Sequence, residues 1–84
     1  MEAYYFTFQS VTQAQSGIAV LQRHGIPAKL VRAQRIISAS GCGYAAELRL
    51  TDVYGAVLIL QNAGVVPQKI FRIAVGGDTR EVFL

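Results

Sequence analysis

Tryptophan is absent from this chain, and cysteine, methionine and histidine each occur once among its 84 residues. A single cysteine excludes an internal disulfide, and within one chain it also excludes a dithiol redox centre and a cysteine-rich metal site. With no staple to support the fold, a reducing, cytoplasmic setting is the expectation. Charge is scarce as well: charged residues make up 15% of the chain against 52% hydrophobic ones. That balance is too apolar for a disordered chain and leaves apolar surface for a partner. No apolar run approaches membrane length and no basic stretch precedes Tyr4-Tyr5-Phe6-Thr7-Phe8, so neither a membrane span nor a signal peptide is expected. There is no P-loop, dinucleotide fingerprint or Ser/His/Asp set, and nothing calls for a cofactor or a metal.

The net charge is +3, which favours an anionic ligand or an acidic partner, but the basic residues are scattered rather than clustered. That argues against nucleic acid. Tyr4, Tyr5, Phe6 and Phe8 could form an aromatic platform of the kind RNA-binding sheets use, yet alternation along a strand sends half of them into a core. Tyr44-Ala45-Ala46-Glu47-Leu48-Arg49-Leu50 lacks the basic-aromatic pattern such domains carry on their third strand.

Along the chain, aromatics and threonine interleaved with polar residues predict a first strand over Ala3 to Gln9. Ser10 with Gln13 offers a capping box, and Val11, Ala14, Ile18 and Leu21 recur at helical spacing, which predicts a helix from Val11 to His24. Gly25 supplies a left-handed terminus, Pro27 blocks resumption, and His24 serves as a cap at the helix end. A second strand is expected over Ala28 to Ala33 and a third over Ala45 to Leu50, where apolar and charged residues alternate. Thr51 or Asp52 caps a second helix up to Gly64; Pro67 ends it, and Gln68 to Ala74 reads as the fourth strand. Gly76-Gly77-Asp78 is a turn or hinge, and Thr79 to Leu84 adds an edge strand, packs on the sheet or stays mobile.

The two halves echo each other. Leu21-Gln22 with Gly25, Pro27, Lys29, Leu30 and Arg32 is matched by Leu60-Gln61 with Gly64, Pro67, Lys69, Ile70 and Arg72, the offset growing by one residue between the glycine and the proline. A strand-helix-strand unit written twice gives βαββαβ, an α+β ferredoxin-like plan with a four-stranded antiparallel sheet and two helices on one face. The expected organisation is one domain over residues 1–75 and a C-terminal arm over residues 76–84.

The segment between the two copies, Ile37-Ser38-Ala39-Ser40-Gly41-Cys42-Gly43-Tyr44, holds the lone cysteine between two glycines and has no counterpart in the repeat. A thiolate is the reactive form of cysteine, and nearby cations or backbone amides favour it. Ser38, Ser40, Gly41 and Gly43 are small residues that could turn amides toward Cys42 as an anion-binding nest, while Arg32, Arg35 or Arg49 could approach from the adjoining strands. A buried cysteine acting as a small hydrophobe is the competing reading. Asp52, Glu47 and Asp78 form no recognisable pair for acid/base catalysis.

The opening aromatic strand, the run His24-Gly25-Ile26-Pro27-Ala28-Lys29-Leu30-Val31 and the run Arg35-Ile36-Ile37-Ser38-Ala39-Ser40-Gly41-Cys42-Gly43-Tyr44-Ala45 together resemble the selenium/sulfur (Se/S) carrier protein-like family over roughly Tyr4 to Phe71. The resemblance implies that Cys42 carries sulfur or selenium as a persulfide or selenosulfide, taken from a donor enzyme and passed to an acceptor protein. Such a protein is a carrier rather than an enzyme in its own right. The alternative is a regulatory or interaction domain of ferredoxin-like shape, a homo-oligomer joined through a sheet edge or face that binds a small ligand, with Cys42 incidental.

Overall fold

In the computed structural model the described residues are 3–32, 43–49, 53–74, 76 and 78–83, Arg49 by its backbone alone. Strand β1 spans Ala3–Thr7 and is followed at once by helix α1, Val11–Arg23. The join is a cap: Ser10 is extended, and its hydroxyl accepts a hydrogen bond from the Gln13 amide at 3.1 Å, satisfying one of the amides a helix start leaves without a partner. Strand β2 covers Ala28–Arg32, β3 Tyr44–Arg49, helix α2 Val53–Asn62, β4 Lys69–Ile73 and β5 Thr79–Val82. Thr51 and Asp52, expected to cap α2, lie outside the described residues.

The internal echo is carried into the helix ends. At the end of α1, Gly25 donates to the Gln22 carbonyl at 3.0 Å and Ile26 to that of Leu21 at 2.9 Å; at the end of α2, Gly64 donates to Gln61 at 3.0 Å and Val65 to Leu60 at 2.9 Å. Both are Schellman closures, and both glycines have φ near +78°, a conformation that costs an L-residue about 1–2 kcal/mol. Ile26 and Val65 fold back against the core beside Leu21 and Leu60. Beyond this point the copies diverge by one residue, and the extra position is the exposed Val66. His24 occupies the C-cap of α1, as expected, and its Nδ1 donates to the Val20 carbonyl at 2.9 Å.

The strands form one antiparallel sheet in the order β2-β3-β1-β4-β5. Each half therefore contributes one central and one outer strand to the first four, the interleaving expected of a split βαβ pair. Register puts Phe6 opposite both Ala46 and Ile70, and Leu48 opposite both Tyr4 and Ala28. These side chains share one face, where they meet Ala14, Ile18 and Leu21 of α1 and Val53, Ala56 and Leu60 of α2. Both helices thus pack on the same side of the sheet. Phe6, Phe8, Leu21 and Leu60 are fully buried there, so two members of the aromatic strand are core and cannot form a platform.

The sheet has five strands, not the four expected. A turn at Gly76, closed by the Ala74 amide donating to the Asp78 carbonyl at 2.9 Å, reverses the chain and lays Thr79–Val82 antiparallel to β4. Val82 then covers the flank of Ile70 on the core face, while Glu81 meets Lys69 at 3.8 Å on the other. Burial of one apolar neighbour plus a ladder of backbone bonds favours pairing over a loose arm.

Candidate functional site

Register fixes where the cysteine-bearing segment attaches. Thr7, Ala45, Val31 and Lys69 lie in one row across the sheet, and the row beyond it pairs Arg32 with Tyr44. The chain leaves β2 at Arg32 and re-enters β3 at Tyr44, so the segment between them is tethered at the end of the sheet where β1 finishes and α1 begins. Helix α1 starts there with no acidic residue in its first turn, leaving the partial positive charge of its N-terminus uncompensated by its own side chains. Arg32 adds a full positive charge at the same end.

At this neck Arg32 lies over the Tyr44 ring, its guanidinium carbon 5.8 Å from the centroid, and Nη2 donates to the Tyr44 hydroxyl at a long 3.5 Å. Gly43, the residue joined to Cys42, has φ +90°, and a Cβ there would meet nothing within 4 Å. The glycine is thus demanded by backbone conformation and not by crowding. Of the expected site residues, the structure places Arg32 and Gly43 together at the neck. Cys42, Ser38, Ser40, Gly41 and Arg35, and the side chain of Arg49, lie outside the described residues.

The sheet face away from the helices carries a polar row that sequence inspection missed. Tyr5 stands between Glu47 and Phe71, Lys29 lies beyond Glu47 and Glu81 beyond Phe71. The Tyr5 hydroxyl donates to Glu47 Oε2 at 2.7 Å, and Lys29 Nζ lies 3.5 Å from Oε1. Neither contact has a local signature, because Tyr5 and Glu47 are 42 residues apart; strand alternation and a correct register would have exposed them. Asp78 pairs with Arg80 at 3.8 Å, and these two, with Arg72 and Ala74, line a cleft at the opposite end of the sheet from the neck. Asp52 lies outside the described residues.

Among the described residues no three His, Cys, Asp or Glu side chains come together as metal ligands, and no helix is long and apolar enough to cross a membrane. Comparison with curated proteins and with solved structures finds no match. Residues 3–72, which take in β1 through most of β4 and the whole cysteine-bearing segment, match the sequence model of the family described as "Putative Se/S carrier protein-like". With the match extending over most of the chain, this protein belongs to the Se/S carrier protein-like family.

Proposed function

We propose that the protein carries sulfur or selenium on Cys42. The reading rests on one observation: the stretch that matches the carrier family, residues 3–72, contains the chain's single cysteine, and no other thiol is available to hold a chalcogen. The surroundings of the neck support it. The α1 N-terminus and the Arg32 guanidinium sit at the end of the sheet from which the cysteine-bearing segment departs, and positive potential favours a thiolate over a thiol. Arg35 and Arg49 are further candidates for stabilising that thiolate, and Ser38, Ser40, Gly41 and Gly43 for shaping the loop around it.

In the loading step the Cys42 thiolate attacks the outer sulfur of a persulfide on a donor enzyme. A new bond forms between Cys42 Sγ and that sulfur, the donor's own S–S bond breaks, and the donor cysteine leaves as a thiolate. The transferred atom is already at the oxidation level of the persulfide, so no external oxidant enters. Selenium transfers the same way and leaves a selenosulfide. Delivery reverses the roles: a nucleophile of the acceptor protein takes the outer chalcogen, and the Cys42 thiolate is the leaving group. The protein thus acts as a cytoplasmic intermediary with two protein partners and no cofactor.

The test is to incubate the reduced protein with a cysteine desulfurase and cysteine, or a selenocysteine lyase and selenocysteine, and to take intact mass before and after reductant. A gain of one sulfur or selenium atom that reductant removes, and that Cys42→Ala lacks, is the expected result. Equal labelling of Cys42→Ala, or no reversible adduct on the wild type, would sink the proposal. Thiol alkylation rate against pH, compared with Arg32→Gln, then reports whether Arg32 favours the thiolate: the expected outcome is a slower reaction near neutral pH in the variant.

A further inference from the structure

Helix α2 buries Val53, Ala56 and Leu60 and turns Tyr54, Leu58 and Gln61 outward, with Val57 half-buried at the shoulder of that stripe. A surface helix ordinarily carries charge on its outer face. Here no charged residue occurs anywhere between Val53 and Gln68. Of the large apolar side chains exposed among the described residues, Tyr54 (67%), Leu58 (59%), Val66 (61%) and Phe83 (81%) belong to this region, and only Val11 does not. Val66 and Phe83 line one groove with Val57, Gln61, Ile70 and Val82, and with Lys69 and Glu81; Tyr54 and Leu58 lie one helical turn from Val57 and Gln61 on α2. An apolar patch of this kind on a small protein marks a contact surface.

We infer that this surface joins two copies of the chain, with α2 packed antiparallel against its counterpart about a two-fold axis. In such an interface residue i meets residue j and j meets i. The outward stripe suits that symmetry: an axis passing between Val57 and Leu58 sets Val57 against Leu58 of the other copy and Tyr54 against its Gln61. The apolar pair then fills the centre, and each tyrosine hydroxyl meets a side-chain amide that can satisfy it. Charge favours the same occupant. Each copy carries a net +3, and α2, with no charged residue of its own, lets two identical cations approach along the helix without local repulsion. Lys69 and Glu81, which also line the groove, pair with each other within one copy.

Area is consistent with a dimer. At about 200 Å² per aromatic side chain, Tyr54 and Phe83 alone present roughly 300 Å² per copy, over a third of the roughly 800 Å² that each partner contributes to a standard interface. At the β5 edge, two of the four possible centres are disfavoured. Antiparallel pairing of β5 with its own copy about a two-fold axis sets one residue opposite itself, and centring on Arg80 or Glu81 would place like charges face to face. Association through α2 also leaves the other face of the sheet uncovered.

Sedimentation equilibrium of the full chain, run in reductant so that Cys42 cannot cross-link copies, tests the inference. The wild type is expected to form a dimer, and Leu58→Glu and Leu58→Lys each to sediment as a monomer with unchanged far-ultraviolet circular dichroism. Mixing the two oppositely charged variants is expected to restore a dimer. Phe83→Ser, which lies outside the helix, is expected to weaken dimerisation by roughly tenfold or more, as for loss of an aromatic anchor. A wild type that stays monomeric throughout, a dimer that persists in the Leu58 variants, or a mixture that fails to re-associate would overturn it. If either Leu58 variant loses its fold, Phe83→Ser decides: a dimer it does not weaken overturns the inference.

Discussion

Arg32 and Tyr44 face each other across the last pair of β2 and β3, the guanidinium carbon 5.8 Å from the ring centroid. They are the last residue before the cysteine-bearing segment and the first residue after it, so their contact closes the neck from which that segment emerges. The pair is exposed, where a cation–π contact contributes about 0.5–1 kcal/mol. Tyr44→Leu is expected to lower stability by that amount, read as a shift of the urea midpoint, and Arg32→Lys to recover part of what Arg32→Ala loses. A Tyr44→Leu variant as stable as the wild type would show that the contact adds nothing.

Gly17 of α1 is a case where two physical effects oppose each other. Replacing glycine by alanine within a helix gains about 1 kcal/mol from backbone entropy. A Cβ at Gly17, however, would lie 3.0 Å from Phe8 Cζ and 3.3 Å from Cε1, and Phe8 is fully buried, so the ring must shift by a few tenths of an ångström within a packed core to admit it. Overpacking of a filled core costs about 1–3 kcal/mol. Gly17→Ala is therefore expected to be neutral to destabilising by about 1–2 kcal/mol, despite its better propensity, and Gly17→Val to be worse. Urea unfolding of the two variants checks the order; a stabilised Gly17→Ala would mean that Phe8 yields.

Thr7 is the buried polar residue of the central strand. Its hydroxyl accepts from the Lys69 amide at 3.0 Å and donates to the Lys69 carbonyl at 3.3 Å, while its own carbonyl accepts from Gln68 at 2.7 Å. The side chain thus pins the first residue of β4 against β1. Thr7→Val keeps the shape and removes both bonds of the hydroxyl, leaving the Lys69 amide without that acceptor. Losing a buried partner costs about 1–3 kcal/mol. The expected result is a drop of that size in unfolding free energy, with faster hydrogen exchange of the Lys69 amide.

The Tyr5 and Glu47 side chains lend themselves to a double-mutant cycle. The 2.7 Å bond from the Tyr5 hydroxyl to Glu47 Oε2 is charge-assisted, and such bonds contribute about 1.5–3 kcal/mol. Tyr5→Phe, Glu47→Gln and the double variant are expected to show a coupling near the lower end of that range. The ion pair of Glu47 with the exposed Lys29 is worth less, about 0.2–1 kcal/mol, so Lys29→Met is expected to change stability by no more than that. A larger effect from Lys29 than from Tyr5 would reverse this ranking.

The sequence by itself determined the two helices, both ends of α1 and the C-terminal end of α2. Ser10 with Gln13, and the paired sets Leu21-Gln22-Gly25 and Leu60-Gln61-Gly64, make their bonds within six residues, so the information lies in a short window. The echo between the halves extended that local information to the strand order of the first four strands, and strand alternation separated Phe6 and Phe8 from Tyr5. The family could be read from the run around Cys42, since a motif is a property of consecutive residues.

Only the tertiary structure decided whether Thr79–Val82 would pair, because a free arm and an edge strand share the same local sequence and differ in what Ile70 and Lys69 offer across the gap. It also decided that Tyr44 stacks with Arg32, that Glu47 meets Tyr5, and that Gly17 lies against the Phe8 ring. Each of these joins residues from different elements. Their energies depend on register and on helix-to-sheet distance, which arise when the whole core closes and are written in no single stretch of chain.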